Sequence, residues 1–357
     1  MGSGYEGVCK VHKVRKVYKV TGVLRTVSNG SSSCREQSAP QGSMDFIDLM
    51  DFIDLIDLSD AARRLGFDAC GVAPVDVLTG EKEALLRWIG KGFHAGMGYM
   101  AKNIEKRENP ALLVEGARSV IVTLTNYYTP RRQGKDVPVI ARYAYGKDYH
   151  IVLKERLFRL LSVLKEKTGR DIRGRVFVDS APVFEHEWAR RAGLGWIGRN
   201  TLLVNPRLGS YCFIGVIISD FEPSGYSLPE ERDFCGTCNR CVEACPTGAL
   251  SSGEVNANLC ISYNTIERKD EIPLEIKEKM GQRFFGCDAC QEVCPWNGKA
   301  VMHCVKEFLP DEWLMHMSRE DWLELDEETF KSRFKDSPLS RPGLEQIKRN
   351  LSQPPLL

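Results

Sequence analysis

Eight cysteines in the C-terminal half of the chain are placed to do metal chemistry. Cys235, Cys238, Cys241 and Cys245 follow one another at gaps of two, two and three residues, and Pro246 closes the run. A second run, Cys287, Cys290, Cys294 and Pro295, lacks a first cysteine at the usual offset, and Cys260 upstream is the natural substitute. Three thiolates this closely spaced wrap three corners of one four-iron, four-sulfur cubane, while the Cys-Pro turn aims the fourth at a second cubane. The crossing gives two ligand sets. Cys235, Cys238, Cys241 and Cys294 hold one cluster, and Cys245, Cys260, Cys287 and Cys290 hold the other. Structural zinc also uses Cys-x-x-Cys pairs, but two Cys-Pro endings with no histidine nearby favour iron and sulfur. Cys70, Cys212 and Cys304 read as small packing residues.

The second chemical signal lies upstream. Phe177-Val178-Asp179-Ser180-Ala181-Pro182 leads through Glu185-His186-Glu187-Trp188 to Gly193-Leu194-Gly195-Trp196-Ile197-Gly198-Arg199-Asn200. An acid between a strand and a helix lies where such folds often put chemistry. By position alone, Asp179 serves equally well as a helix N-cap. The glycines around Trp196 allow backbone to approach a large flat ligand closely.

These residues need a scaffold, and the apolar pattern supplies one. Helices are expected up to Leu65, over Glu81–Ile89, over Ile151–Lys167 and over Ala181–Ala192, with Gly66 and Gly169 as stops. Strands are expected at Phe67–Ala73, Arg118–Asn126, Arg175–Asp179 and Tyr211–Ser219. The organisation that follows is an α/β or α+β domain over 44–222, a cysteine-rich module over 223–300 and a helical tail over 301–357. Residues 1–43 are basic and serine-rich and read as a disordered extension or leader, because Met44 would serve as a natural start; an organelle transit peptide has the same composition.

Composition limits the function classes. The chain has 357 residues with 49 basic and 48 acidic side chains, so no global charge draws it to nucleic acid. Thirteen cysteines, nine of them between Cys212 and Cys294, are clustered as metal ligands in a reducing compartment rather than spread as a disulfide framework. No apolar run approaches a membrane span, and a cytoplasmic monomer is expected.

Taken together, Val178-Asp179-Ser180-Ala181-Pro182, the Gly193–Gly198 segment, Cys245-Pro246-Thr247-Gly248-Ala249, Cys260-Ile261-Ser262-Tyr263 and Gly286-Cys287-Asp288-Ala289-Cys290-Gln291-Glu292-Val293-Cys294-Pro295 closely resemble epoxyqueuosine reductase, as does Arg142-Tyr143-Ala144-Tyr145-Gly146-Lys147-Asp148-Tyr149-His150. The resemblance spans about residues 55 to 340. It implies a cobalamin-binding catalytic domain beside a ferredoxin-like domain with two [4Fe-4S] clusters. It further implies reduction of the epoxide of epoxyqueuosine at the wobble position of tRNA, with an external low-potential electron donor. Asp179 aligns with the proposed proton donor, and burial against the corrin is expected to raise its pKa. Arg142, Tyr143, Gly195, Trp196, Asn200, Ser262, Asp288 and Ala289 are implied along the cobalamin or substrate pocket.

Two basic groups are candidates for tRNA phosphates: Arg131, Arg132 and Lys135, and Arg170, Arg173, Arg175, Arg190, Arg191 and Arg199. Other readings are a reductive dehalogenase, a non-catalytic electron carrier, or a zinc-stabilised RNA-binding module.

Overall fold

A computed structural model describes residues 55–352, with side chains from Asp57 onward. The basic extension over residues 1–43 lies outside the described residues. At the centre is a four-stranded sheet of β1 (Ala69–Pro74), β2 (Ser119–Asn126), β3 (Gly174–Phe177) and β4 (Cys212–Ser219), in the order β1-β2-β4-β3. All three pairings are antiparallel. The four strands fall where the β-branched runs place them. Their antiparallel order makes the domain α+β, a distinction that hydrophobic period alone does not carry.

Alternation of side chains gives this sheet two buried faces. Val72, Ile121 and Ile217 point to one core with α1 (Leu55–Arg64) and the long helix α3 (Tyr149–Thr168). Ala73, Val120, Val122, Leu124, Val216 and Ile218 point to the other, against α4 (Glu185–Arg191) and Leu78, just before α2 (Thr79–Gly90). Every residue of β2 is buried, as its position between two strands and two helical layers requires.

The helix α3 is built from local rules. Asp148 caps it by accepting from the His150 N–H, and Gly169 ends it in the left-handed conformation at φ +64°. Leu153, Leu157, Leu160, Leu161 and Leu164 recur at helical spacing and are all buried. Each contributes about 1.5–3 kcal/mol of burial free energy.

One element is shorter than expected. The helix predicted from Ala181 begins only at Glu185. Pro182 disfavours helical backbone at Ala181, so residues 178–184 form a loop that delivers Asp179.

The described residues all belong to one compact unit. A short parallel pair, Val139–Ile140 with Arg283–Phe285, ties the first half of the chain to the cysteine-rich segment. The helices after residue 310 close over this pair. Leu314, Met315, Trp322, Phe334, Ile347 and Leu351 pack with Ile140, Tyr145, Phe284 and Phe285. In the last helix, Asn350 donates to the Thr265 and Phe284 carbonyls, and Gln346 to the Ile266 carbonyl.

Candidate functional site

The eight cysteines gather in two places. Cys235, Cys238, Cys241 and Cys294 line one cavity of about 290 Å³, together with Asn200, Phe234, Trp296 and three cations. The other set gathers through its electrostatic neighbours. Cys260 feels Cys245, Cys287 feels Cys260, and Cys290 feels Cys287 and Cys260. Burial is the first cause acting on each of these three thiols and pushes all of them up, Cys287 to about 11. Buried thiols crowded together are poor acids, and they ionise readily only when a cationic metal centre takes the place of the protons. The donor sets therefore fit clusters.

Trp196 packs behind the wall of the first cavity. Its side chain is buried and its Nε1–H donates to Cys235 Sγ at 3.5 Å. The ring lies 4.8 Å from Trp296 and 4.9 Å from Phe234, so it backs the two aromatics that line the cluster site. Gly195 makes this possible. It sits at φ +149°, and a Cβ there would lie 2.2 Å from the Val204 carbonyl oxygen. The close backbone approach read from the glycines is thus made to a neighbouring strand. Asn200 is buried on the same cavity wall.

Asp179 stands apart from this cavity, near the start of the 178–184 loop. Its backbone is left-handed at φ +55°, an uncommon state for a side-chain-bearing residue. Among the described residues it caps no helix, and Phe184 precedes the helix that follows it. Its Oδ2 accepts from Tyr149 Oη at 2.7 Å and lies 3.5 Å from His150 Nε2, while its side chain remains 55 % exposed. The His150 hydrogen bond holds the carboxyl below its ordinary range; desolvation opposes this, and Tyr149 and Arg341 add to it. The raised, neutral acid expected from the sequence is therefore not its state here. The proton is stored next door. His150 loses some basicity to burial, but hydrogen bonds to Asp148 and Asp179 outweigh that and bring it up to about 9. Its Nδ1 is 2.8 Å from Asp148 Oδ1.

Glu185 completes this face. Burial first, then the Asp179 charge, pushes its carboxyl up to about 8, and its Oε1 has no hydrogen-bond partner. Arg107 Nε is likewise buried without one. Tyr99, 47 % exposed, and Gly98, where a Cβ would meet nothing within 4 Å, leave the face open.

A relay of contacts runs from here to the second cysteine set. Tyr143 lies edge-on to Tyr149 at 6.2 Å, and a Cβ on Gly286 would come within 3.3 Å of the Tyr143 ring. Gly286 precedes Cys287. Arg142 is buried and directs its guanidinium to Asp288 and Glu292, both at 3.0 Å, while its N–H also donates to Asp288. Arg142 and Asp288 thus fasten the helix Ala289–Glu292, which begins at Ala289, to the catalytic half. Ser262 sits half-buried on the helix Ile261–Ile266 that follows Cys260.

Known proteins match this architecture. Residues 107–180 match the family model described as "Epoxyqueuosine reductase QueG, DUF1730", and residues 234–297 match the "4Fe-4S double cluster binding domain". The epoxyqueuosine reductase of Leadbetterella byssophila is 46 % identical over 82 % of this chain and 95 % of its own length. That of Pseudomonas aeruginosa is 41 % identical, covering 82 % of each. The chain belongs to the epoxyqueuosine reductase family. Among solved structures, an epoxyqueuosine reductase with an epoxyqueuosine-modified tRNA-Tyr stem loop superposes with a TM-score of 0.76 at 32 % identity, over 83 % of this chain and 79 % of that one. A Bacillus subtilis epoxyqueuosine reductase, with its catalytic aspartate loop swung out of the active site, gives 0.75 at 32 % identity over the same shares.

The family's fold thus carries two [4Fe-4S] clusters in this chain, and no helix among the described residues is long and apolar enough to cross a membrane. Sequence reading missed His150, Tyr149 and Arg341 as partners of Asp179. The first two lie within the Arg142–His150 motif, so their place in it was the available signal. Arg341, from the polar tail, offered none. The basic candidates are mostly engaged. Arg131 pairs with Glu312, Arg132 with Glu292, Arg173 with Asp220, and Arg190 and Arg191 with Glu187. Arg199 bonds to Asn239 and the Gly236 carbonyl.

Proposed function

We propose that this chain reduces the epoxide of epoxyqueuosine in tRNA to the cyclopentene of queuosine, with Asp179 as the proton donor and His150 as its proton reserve. The reaction takes up two electrons and two protons and releases water. The observation that carries the assignment is the Tyr149–Asp179–His150 constellation, held open to ligand and linked through Tyr143 and Gly286 to a cluster cysteine. The relative solved with a modified stem loop supports the substrate.

The open face fits the cobalamin that the family resemblance implies. Unpartnered Glu185 Oε1 and Arg107 Nε suit a ligand with polar edges, and Gly98 leaves room for a broad one. When bound, cobalamin and the clusters together supply electrons at low potential, which no side chain offers. The chain's own residues handle the protons. Covering the half-open Asp179 carboxylate removes its water and raises its proton affinity. A proton on His150 Nε2 is then within reach of Asp179 Oδ2, and Asp179 can hand it to the departing oxygen. Tyr149, whose phenol is pushed far up first by burial and then by the Asp179 charge, keeps its proton and fixes the carboxylate by donating to it. The ligand assignment proposed for the cysteines is the crossed one, Cys235, Cys238, Cys241 and Cys294 against Cys245, Cys260, Cys287 and Cys290.

The test is Asp179→Asn in anaerobically reconstituted protein with epoxyqueuosine tRNA, read by nucleoside mass spectrometry. Iron content and cobalamin retention should match the parent while product falls by 10²–10⁴, roughly the contribution of a positioned acid. Product at the parental rate would remove Asp179 from the chemistry.

A further inference from the structure

The two cysteine sets live in different surroundings. Around the second set, Ile261, Gly286, Asp288 and Ala289 are buried. Around the first, Gly236, Thr237, Asn239 and Arg240 are exposed, so this cavity opens to solvent through the loop that holds its own cysteines. Three cations line it: Arg199, Arg240 and Lys299. None of the three is ion-paired with a carboxylate among the described residues, and Arg199 spends its guanidinium on Asn239 and the Gly236 carbonyl. Elsewhere, in contrast, Arg131, Arg173, Arg190 and Arg191 all have acidic partners. Phe234, 37 % exposed, and the exposed Pro295 add an apolar centre to the charged rim.

We propose that this rim is the docking surface for a small acidic protein that carries one electron at low potential. The proposal rests on the reductase reading, which requires an outside electron source. Each encounter oxidises the carrier by one electron and reduces the first cluster by one; two encounters supply the pair that epoxide reduction consumes, with two protons taken up and water released. Uncompensated positive charge steers an acidic partner and speeds its encounter by 10–10³ at low salt. An apolar centre inside a charged rim is the usual anatomy of a protein contact. RNA fits this face less well. Its reacting base must reach Asp179, and the groups that feel Asp179, namely Tyr99, Tyr143, Tyr149, His150, Glu185, His186 and Arg341, are all absent from the lining of this cavity.

The test uses the full holoprotein and follows bleaching of cluster absorbance by stopped flow. An acidic flavodoxin, pre-reduced, is one reductant, and photoreduced 5-deazariboflavin, which is neutral, is the other. In the double variant Arg240→Glu, Lys299→Glu, reduction by flavodoxin should slow at least about tenfold at low salt. Reduction by deazariboflavin reports any change in the cluster itself and should slow far less than reduction by flavodoxin, and the flavodoxin difference should shrink at about 0.5 M salt, where the screening length is only a few ångströms. The pair Arg240→Gln, Lys299→Gln should fall between, with iron content verifying that both variants are intact. Equal flavodoxin rates in parent and variants would overturn the proposal. Equal flavodoxin rates with weakened binding of a tRNA stem loop would assign the face to RNA. A parent whose clusters take no electron even from deazariboflavin would overturn the reductase reading itself, a separate outcome.

Discussion

Asp148→Asn should move the alkaline limit of turnover downward without disturbing the helix that Asp148 begins. In the structure, His150 is held between Asp148 on Nδ1 and Asp179 on Nε2, which bring its pKa from 6.5 to about 9 against the cost of burial. The raised value means the proton is bound at neutral pH and lost as pH climbs through about 9. Its contribution to folding stability has the same sign, full below 6.5 and gone above about 9. Asparagine removes the charge at position 148 but remains a good N-cap, so α3 keeps its first hydrogen bond. Losing one of two carboxylate partners should lower the His150 pKa by about 1–2 units. At about pH 8, proton occupancy then drops from about nine-tenths to between one-half and one-tenth, and turnover with it. At about pH 6 both proteins should be at least about nine-tenths protonated and nearly equal in activity. The assay is product formation by nucleoside mass spectrometry across this range, with saturating reductant and equal iron content. If the variant kept the parental profile, or if the parent showed no fall between about pH 8 and 10, His150 would not be the proton reserve.

Three further outcomes follow from the geometry. Trp196→Phe removes the N–H that donates to Cys235 Sγ, and the midpoint potential of one cluster, followed by EPR during redox titration, should become more negative while the other stays put. Gly195→Ala forces a Cβ against the Val204 carbonyl at a backbone angle that side chains avoid, and should cost about 1–3 kcal/mol in thermal or denaturant unfolding. Under the crossed ligand assignment, Cys235→Ala and Cys294→Ala should leave the same surviving cluster by EPR, and Cys290→Ala the other one, each with about four irons in place of eight.

The parts of the molecule that local rules govern were readable from its residues. Ligand spacing within a cysteine run is a property of a few adjacent residues, and so is a β-branched run or the Asp148 and Gly169 boundaries of α3. The antiparallel order of the sheet is not, because a buried strand looks alike whichever way its neighbours run. Asp179 shows the limit most clearly. Its position was readable, but its ionisation state depends on Tyr149 and His150, which meet it across about thirty residues of chain, and on Arg341 from the tail. The residues around Trp196 show a close backbone approach, but not that the fold carries Cys235, 39 residues away, beneath its N–H. Placement of Ala181 in a loop rather than a helix came from Pro182 itself, a signal present in the residues but outweighed by the apolar period around it.

Among the described residues the last helix, Leu344–Leu351, grips the helix that follows Cys260 and the strand that leads to Cys287 through Gln346 and Asn350, while Arg341 just before it bears on Asp179. During synthesis, then, every cysteine leaves the ribosome before the residues that brace half of them and tune the acid. The surroundings of Asp179 and of the second cysteine set are therefore complete only once Arg341 and the helix Leu344–Leu351 have folded back onto them.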